Sequence, residues 1–511
     1  MPFTYPMTIH VAPNKGLRSG ALTLGSSIVL GVASTAPAYS LAASLGFIVL
    51  VASGTGIIGV QAPAIILLAF IPILFVAIGY QQLNKAEPDC GTTFTWGARA
   101  FGPRIGWMGG WGIIVADIVG MSNLAQVAGQ YTFDLFGLTD MAQSLWPPLL
   151  VGVAFSILVT WICVRGIVFS AVLQKWLLLI EMVMLVIFAV IALVKVYSNN
   201  AVESSIMPEW SWFSPAGITS SGLVTGLLIA VFLYWGWDSS STVNEETENP
   251  ETVPGKAGVI STLLLLVTFA LVAVAAIAFG GVGTSGLGLG NIDNADDVFA
   301  ALGPSVFGDG LIGRALVSLL IISVLSSATA SMITTITPTA RTALSMAAFK
   351  AIPERFAGIH PRYLTPTAAT IWIGVVGTVF YFVLSLVSEN VLADSISSVG
   401  LMIAFYYGLT GITCAWFYRK RMHSFSQVML RGVMPGIGGL VLLAGFVLAS
   451  VQFANPDYGY TTMGDIGGVF VIGIGSLLVG VVLMVIWNFI NPSYFRGETL
   501  PKADASMLMP E

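Results

Sequence analysis

Apolar runs recur along almost the whole chain, and they constrain the fold more than any other feature. A helix of ~20 apolar residues is long enough to cross the hydrocarbon core of a bilayer. Only 9% of the residues are charged and 56% are hydrophobic, which excludes a soluble globular protein. The sequence therefore predicts an all-α integral membrane protein of about 12 transmembrane helices. We expect the spans at residues 22–52, 57–81, 106–130, 146–165, 171–196, 221–243, 257–280, 312–345, 367–388, 396–418, 433–453 and 466–490.

The distribution of basic residues predicts the orientation of these spans. Of the 20 Lys and Arg residues, all but Lys175, Lys195 and Arg314 fall in cytoplasmic segments if the N-terminus lies inside. An even number of spans then places both termini in the cytoplasm. The basic cluster at residues 419–421 indicates an anchor beside anionic lipid, not a nucleic-acid site. We expect a multi-pass protein of the cytoplasmic membrane with the lipid bilayer as a partner and no nucleic-acid partner.

Two of the predicted spans are interrupted near their middle. The first is broken at residues 33–37 (ASTAP) and the sixth at residues 234–238 (YWGWD). Irregular backbone at membrane depth is tolerated only where it lines a protein cavity. Spans 1 and 6 are five apart, so the second half must run with the opposite topology. Paired broken helices in inverted halves indicate a midplane binding site in a secondary transporter. The alternative is a simple glycine kink, with Asp238 reaching toward the membrane surface.

Three loops carry motifs that can be compared with known families. They are Pro88, Gly91 and Phe94 before span 3; Glu245-Glu246-Thr247-Glu248-Asn249-Pro250 with Pro254 after span 6; and Arg341, Met346-Ala347, Pro353, Phe356, His360-Pro361-Arg362 and Thr365-Pro366 after span 8. In these motifs, and in their order, the chain resembles permeases of the amino acid–polyamine–organocation (APC) superfamily.

The resemblance implies a leucine-transporter-type fold. That fold has a 5+5 inverted repeat, discontinuous helices 1 and 6, and two peripheral spans. The expected organisation is a cytoplasmic N-terminal tail (1–21), a first repeat (22–200), a second repeat (201–431), peripheral helices 11 and 12 (432–490) and a cytoplasmic C-terminal tail (491–511).

The substrate site is predicted between the two broken helices. Half-helix N-termini present unpaired N–H groups and a positive dipole end to a carboxylate. Aromatic faces can cover an ammonium group by cation–π attraction. Asp238 would supply a counter-charge or hold the unwound segment. The predicted lining is Ser34, Thr35, Ala36, Tyr234, Trp235, Gly236, Trp237 and Asp238.

A second prediction concerns the coupling ion. Asp117 and Glu181 are carboxylates inside predicted spans, where a charge is costly and indicates function. Many members of the resembled family carry a Lys fifteen residues after the Gly that opens span 5, and counting from Gly166 this position is Glu181. Sodium-coupled relatives hold an ion between spans 1, 5 and 8. We predict that Glu181, helped by Asp117, carries the ion, with hydroxyl ligands from Ser327 and Ser331.

The identity of this ion and the role of Glu181 have alternatives. Burial disfavours the charged form of a carboxylate, which favours H⁺ as the coupling ion, but Na⁺ is the alternative. In the structural alternative, Glu181 would simply pair with Lys175.

Two further polar features have open interpretations. Asn123, Gln126 and Gln130 form a stripe that either lines the permeation path or packs against another span. Tyr406 and Tyr407 could close the outer vestibule or only pack.

The predicted function is a secondary active transporter that imports an amino acid or related amine. The alternatives are a polyamine or organic-amine carrier, a potassium-type inorganic cation carrier, and an amino acid exchanger. A channel is disfavoured because no repeated selectivity filter is present. No nucleophile–base set or metal-ligand spacing occurs, so we expect no enzyme, no cofactor and no metal.

Overall fold

The computed structural model describes residues 15–388, 390–459 and 461–503, and within them the chain is almost entirely helical. Residues 1–14 and 504–511 of the two predicted tails lie outside the described residues. The helices of the first part are α1 (Leu24–Ser34), α2 (Pro37–Leu50), α3 (Ala62–Ala86), α4 (Thr93–Phe101), α5 (Pro103–Leu135), α6 (Thr139–Ala142), α7 (Trp146–Val164) and α8 (Ile167–Tyr197). Those of the second part are α9 (Ser220–Leu233), α10 (Ser239–Thr242), α11 (Val253–Gly280), α12 (Val298–Phe307), α13 (Leu311–Ala348), α14 (Thr367–Val387), α15 (Val391–Tyr418), α16 (Phe425–Gln427), α17 (Met434–Phe453) and α18 (Gly468–Ile490).

The remaining regular structure is short. Two antiparallel hairpins pair β1 (Ala52–Ser53) with β2 (Gly56–Ile57), and β3 (Thr462–Met463) with β4 (Ile466–Gly467). Single 3-10 turns occur at Gly59–Gln61, Trp210–Phe213, Asn244–Glu246, Ile292–Asn294 and Glu354–Ala357, and a π-helical segment, Val428–Val433, leads into α17.

Eleven segments of the described chain are long and apolar enough to cross a membrane. They are Leu24–Leu50, Gly59–Ala86, Pro103–Leu135, Trp146–Val164, Ser170–Tyr197, Val253–Gly280, Leu311–Ala348, Thr367–Val387, Ala393–Tyr418, Phe425–Phe453 and Gly468–Ile490. The predicted sixth span appears as the short apolar helix α9, which is followed by an unwound segment and α10. The all-α membrane architecture is therefore confirmed.

The helices differ in how far they are enclosed by the others. Within an apolar stretch of 18 residues in α5, 94% of the residues are buried inside the protein. The same share is 89% for the combined α1–α2 segment. The corresponding share is 28% for both Phe425–Phe453 and Gly468–Ile490, whose outward side chains are apolar. The first span and α5 therefore form the centre of the bundle, and the last two spans lie at its periphery facing lipid.

Both predicted breaks are present in the structure. Helix α1 ends at Ser34, and Ala36 adopts a left-handed conformation with φ 47° before Pro37 opens α2. Helix α9 ends at Leu233, and the chain turns at Gly236 with φ +113° before α10. Proline fixes φ near the value of a first helical turn, which explains Pro37 at the start of α2. Glycine adopts positive φ without strain, which explains Gly236.

Four helices of the described chain lie in stretches for which no span was predicted, and α4 and α12 are the longest of them. Helix α4 lies in the loop after α3, and α12 lies between α11 and α13. Both are too short to span a bilayer, so the search for long apolar runs did not reveal them. They matter because each covers one end of the bundle.

The two ends of the bundle have opposite charge character. We call the end that carries Lys15, Arg99 and Arg341 the basic face. The opposite end, where α5 finishes and α13 begins, carries Lys195 and Arg314 but is richer in aspartates, and we call it the acidic face. Its members include Asp134, Asp296, Asp297 and Asp309.

Candidate substrate and ion sites

The two broken helices approach each other very closely at Gly236 and Ser34. A Cβ placed on Gly236 would lie 2.7 Å from Ser34 Oγ and 2.8 Å from both the carbonyl carbon and the oxygen of Ser34. Only glycine permits this approach, because any side chain at residue 236 would collide with the backbone of the other break. The Ser34 hydroxyl is also hydrogen-bonded to the Ser239 hydroxyl at 2.7 Å, which links the first break to the start of α10.

A small polar cavity lies on one side of this contact, and we call it the central cavity. Its volume is about 10 Å³. It is lined by Ser34, Ile113, Asp117, Trp235, Gly236, Asp238, Ser239, Thr242, Thr334, Thr335, Pro338 and Tyr406. Two carboxylates face it, and no Lys or Arg lines it. A space of this size holds about one water molecule, so a solute can enter only if the broken segments move apart.

Tyrosines of α15 hold the unwound segment of the sixth span in place. Tyr407 donates a hydrogen bond from its hydroxyl to Asp238 Oδ1 at 2.7 Å and accepts one from the Gly236 backbone N–H at 3.3 Å. The Trp235 indole N–H donates to the Tyr406 hydroxyl at 2.8 Å. Buried backbone and indole groups need such partners, because they cannot reach water.

The second carboxylate of the central cavity comes from α5. Asp117 is buried and accepts a hydrogen bond from the Thr339 hydroxyl of α13. It lines the cavity together with Asp238, so the two carboxyl groups share one space between α5, α13 and the unwound segment. Asp117 does not contact Glu181 in this conformation. The predicted cooperation between them is therefore not supported by a direct contact.

A second small cavity lies beyond Trp235, toward the acidic face. It also measures about 10 Å³ and is lined by Ser34, Thr35, Ala36, Tyr39, Ser40, Gly120, Asn123, Leu124, Phe232, Trp235 and Ser331. Ser34 and Trp235 border both cavities. The structure thus brings six of the eight predicted substrate residues to these two adjoining spaces.

The other two predicted residues, Tyr234 and Trp237, turn away from both cavities. The Tyr234 hydroxyl donates to the Ile66 carbonyl at 3.1 Å, and its ring packs on Phe70. The fully buried Trp237 ring packs between Tyr80 and Tyr407. Successive residues of an unwound segment point in different directions, so they cannot all face one space. We leave these two residues out of the site proposed below.

Glu181 lies where α8 meets the first break and α13. Its Oε1 atom accepts hydrogen bonds from the Ala38 backbone N–H and from the Ser327 hydroxyl, both at 2.7 Å. The Ala38 N–H is one of the unpaired donors at the start of α2, where the helix dipole favours negative charge. The Oε2 atom is buried and has no hydrogen-bond partner in the described chain.

The neighbours of Glu181 complete the cluster. Ser331, one turn after Ser327 on α13, donates to the Ser34 carbonyl freed by the break, at 2.8 Å. Lys175 is exposed while Glu181 is fully buried, so the alternative pairing of these two residues does not occur. Glu181, Ser327 and Ser331 thus connect α8 and α13 to the broken first span.

Some members of the polar stripe on α5 pack against other helices, and others border a cavity. Asn123 borders the second small cavity and accepts from the Ser395 hydroxyl, whereas Gln126 accepts from the Tyr381 hydroxyl at 3.0 Å. Gln130 lines a larger cavity on the acidic face. Lining of the permeation path by this stripe stays a prediction.

Several lining residues were not predicted. Tyr406 lines the central cavity, and Tyr407 holds the unwound segment beside it. Closure of an outer vestibule by these two residues stays a prediction. Thr334 and Thr335 also line the central cavity. The two adjacent tyrosines could be singled out from the sequence, because hydroxyl groups in an apolar span need hydrogen-bond partners. Thr334 and Thr335 could not be singled out in this way, because hydroxyl residues recur along α13.

The basic face is closed by buried ion pairs. Lys15 Nζ lies 2.7 Å from Asp89 Oδ2 and 2.5 Å from Glu245 Oε1, and Arg341 contacts both carboxylate oxygens of Glu246. The N-terminal segment also bonds to the loop after α10, because Ala21 and Leu22 donate to the Glu246 carbonyl. The path from the central cavity to this face is therefore sealed.

The Lys15 contacts also determine the charge state of this closure. Burial opposes ionisation of Asp89, but the Lys15 ammonium and hydrogen bonds from Ser345 and Gly91 hold the pKa of Asp89 below its usual range. The ligand atoms of Asp89, Cys90 and Glu245 lie within 4.8 Å of one another, a spacing that could suit a metal ion. Here the Lys15 ammonium already contacts both carboxylates, and it takes the place that a cation would occupy.

These features define a class of protein: a multi-pass membrane permease whose two broken helices enclose a polar site in mid-membrane. The family model described as amino acid permease matches residues 26–492. The chain belongs to this family. The APC resemblance seen in its loops is thereby confirmed.

Individual relatives are distant but cover most of the chain. The low-affinity putrescine importer PlaP of Escherichia coli (strain K12) is 22% identical, over 86% of this chain and 91% of its own. The branched-chain amino acid permease BcaP of Bacillus subtilis (strain 168) is 23% identical, over 79% and 83%. The methylthioribose transporter of the same organism is 22% identical, over 65% and 70%. These relatives carry chemically different solutes, so the comparison does not identify a substrate.

Proposed function

We propose that the protein is a secondary active transporter that imports an amino acid or related amine across the cytoplasmic membrane, with H⁺ as the coupling ion. The observation that carries this proposal is the contact of Gly236 with Ser34, beside a cavity that Asp117 and Asp238 face. Carboxylates without a neighbouring Lys or Arg attract an ammonium group. Putrescine and branched-chain amino acids, the solutes named for two relatives, both contain one.

The orientation is part of the proposal. The basic face carries most of the Lys and Arg residues, and the positive-inside rule places such a face in the cytoplasm. Both termini would then be cytoplasmic, and the acidic face would be outside. Because the basic face is sealed, a solute would reach the site from the acidic face.

Glu181 is the proposed carrier of the coupling proton. One of its oxygens is bound to the α2 N-terminus and Ser327, and the other has no partner in the described chain. A buried carboxyl at this position can alternate between a neutral and a charged form as the broken helix moves. Sodium coupling is the second candidate. Glu181 and Ser327 supply oxygen atoms, and a further oxygen is the Ser34 carbonyl, which accepts a hydrogen bond from Ser331.

One observation favours an amine without a carboxylate over an amino acid. The backbone N–H groups at the start of α2 were expected to bind a substrate carboxylate. Instead, the Ala38 N–H donates to Glu181 and the Tyr39 N–H to the Ser327 hydroxyl at 3.3 Å. With these donors occupied and two acids facing the central cavity, an organic amine or polyamine fits the charge of the site better.

Uptake by purified protein in liposomes tests the proposal. The probes are matched pairs of labelled amino acids and the amines that remain after loss of the carboxyl group: ornithine with 1,4-diaminobutane, lysine with 1,5-diaminopentane, and leucine with 3-methylbutylamine. We expect saturable uptake of at least one ammonium compound and none of simple dicarboxylates. Uptake of the amine but not of its parent amino acid supports the amine carrier. Absence of uptake across all pairs, or uptake of dicarboxylates alone, would contradict the proposal.

A further inference from the structure

A larger cavity lies on the acidic face, outside the two central spaces, and we call it the outer cavity. Its volume is about 270 Å³, which approaches the size of small-molecule pockets in proteins. It lies between the end of α5, α2, α6 and the start of α12. The residues that matter for its chemistry are Tyr39, Gln130, Tyr131, Asp134, Asp296 and Asp297.

The lining of the outer cavity is strongly acidic. Three aspartates face it, and no Lys, Arg or His lines it. Asp297 accepts a hydrogen bond from the Ala300 backbone N–H at 2.9 Å and thereby caps α12, and its carboxyl also faces the Tyr131 hydroxyl. Asp296 is exposed at the rim. A negatively charged concave surface of this kind concentrates cations.

A second, independent feature indicates that the cavity takes a ligand. Tyr39 is 2% exposed, and its hydroxyl has no hydrogen-bond partner in the described chain. Buried hydroxyl groups are nearly always paired, so an unpaired one calls for an explanation. Tyr39 lines the outer cavity and also the second small cavity next to Ser34 and Trp235. A ligand amine in the outer cavity could donate to this hydroxyl.

We propose that the outer cavity is a second binding site, which takes an organic ammonium compound before it reaches the central cavity. Tyr39 borders both the outer cavity and the second small cavity, which adjoins the central cavity at Ser34 and Trp235. The order of binding rests on the proposed transport function, whereas binding in the outer cavity itself does not depend on which solute is finally translocated.

The spacing of the acids favours an organic cation over a metal ion. A metal ion requires its ligand atoms to converge. Among the described residues, Asp89, Cys90 and Glu245 are the one cluster of three or more such side chains whose ligand atoms lie within 4.8 Å of one another. The aspartates of the outer cavity are spread more widely around a space of about 270 Å³. Separated carboxylates suit one or two ammonium groups on a carbon chain, with the chain lying against Tyr39 and Ala43.

Protection of an introduced thiol tests the site directly. Gln143 is exposed and lines the outer cavity, whereas Cys90, Cys163 and Cys414 are all buried. A Gln143→Cys variant in lipid nanodiscs is treated with the neutral reagent N-ethylmaleimide, with and without 1,4-diaminobutane. We expect the diamine to slow alkylation about tenfold at saturation, with 1,4-butanediol and calcium giving no comparable protection. A Ser285→Cys variant, exposed on the same face outside the cavity, should not be protected.

Substitution of the acids tests which residues carry the effect. In the Gln143→Cys background, Asp296→Asn with Asp297→Asn should raise the diamine concentration needed for protection by about tenfold or more. Asparagine can still cap α12, so the change removes charge while preserving the helix start. Asp309→Asn removes the same charge from an exposed position of the same face and should leave protection unchanged. Asp296→Asn alone, at the exposed rim, serves if the double variant does not fold.

Three results would overturn the outer site. They are no protection by the diamine, equal protection by the butanediol, and protection that survives loss of the aspartates. Stronger protection by calcium would overturn the assignment to an organic cation. The assay requires no transport, so the outer site can be confirmed even if liposome uptake contradicts the proposed function, and the reverse also holds.

Discussion

At the scale of single residues, Gly236 has the least room for substitution in the central site. Its φ of +113° disfavours any side chain, and a Cβ would lie within 2.8 Å of the Ser34 backbone. We predict that Gly236→Leu abolishes uptake, because it forces the two broken helices apart. Gly445→Leu is the matched control, since nothing lies within 4 Å of a Cβ at Gly445.

The measurement is liposome uptake per amount of monodisperse protein, determined by size-exclusion chromatography. If Gly236→Leu transports as well as Gly445→Leu, the contact between the breaks is not part of the transport site.

Asp238 allows a prediction about charge alone. Its Oδ1 atom accepts from the Tyr407 hydroxyl, and an asparagine oxygen could accept the same hydrogen bond. We predict that Asp238→Asn weakens the binding of ammonium substrates about tenfold, which corresponds to ~1.4 kcal/mol. Equilibrium binding to wild type and variant checks this, with Asp309→Asn as an exposed control. Unchanged affinity for every ligand would show that Asp238 only holds the unwound segment.

At the scale of structural elements, the N-terminal segment acts as a plug on the basic face. Lys15 joins Asp89 and Glu245, and removing one partner of a buried ion pair costs ~3–5 kcal/mol. We predict that Lys15→Gln opens this face and exposes Cys90, whose backbone N–H is bound to Glu245 at 3.0 Å. The rate of Cys90 alkylation should therefore increase at least tenfold.

The control for this prediction is Lys350→Gln. Lys350 belongs to an exposed pair with Glu354, and loss of an exposed pair should have little effect. Burial raises the pKa of the Cys90 thiol, so slow alkylation is expected while the face stays closed. If Cys90 reacts equally slowly in the two variants, Lys15 does not hold the face shut.

The start of α12 yields a prediction about pH. Burial raises the pKa of Asp297 to about 6, although the Tyr131 hydroxyl and the Ala300 N–H favour its charged form. The carboxylate is therefore charged above this value and neutral below it. Tyr39, Tyr131, Asp134 and Asp296 are the other titratable groups of the cavity.

We predict that diamine protection of the Gln143→Cys thiol weakens as the pH falls through about 6. The ratio of alkylation rates with and without diamine, measured at each pH, corrects for ionisation of the thiol itself. In the Asp297→Asn variant the remaining protection should lose this step. A step of equal size in that variant would assign the titration to another group.

At the scale of the whole molecule, the sequence predicts the architecture well because the bilayer imposes a simple rule. Long apolar runs must be helices, and Pro37 and Gly236 then show where those helices break. Glu181 lies beside the first break and α13, and its role in ion coupling stays a prediction. The last two spans are the least enclosed of those in the described chain.

The remaining details depend on tertiary contacts that a linear pattern does not contain. The side chains of an unwound segment follow no helical period. The sequence therefore could not show that Tyr234 and Trp237 point away from both cavities. The role of Lys15 depends on a contact with Glu245, 230 residues away along the chain. The outer cavity depends on α12, which is too short to be found among apolar runs.

The central claim is that Glu181 couples transport to a proton gradient. Glutamine at this position could still accept from the Ala38 N–H and the Ser327 hydroxyl, but it cannot exchange a proton. Glu203→Gln, at an exposed site, is the matched control. The variants are compared in liposomes under an imposed pH gradient and then under an imposed sodium gradient.

The decisive measurement is accumulation of the labelled substrate, identified from the uptake panel, by wild type and Glu181→Gln under the imposed pH gradient, with substrate exchange measured in the same liposomes. The account predicts that Glu181→Gln retains exchange but loses accumulation, whereas wild type and Glu203→Gln accumulate substrate. Accumulation by Glu181→Gln to the wild-type level would contradict the account.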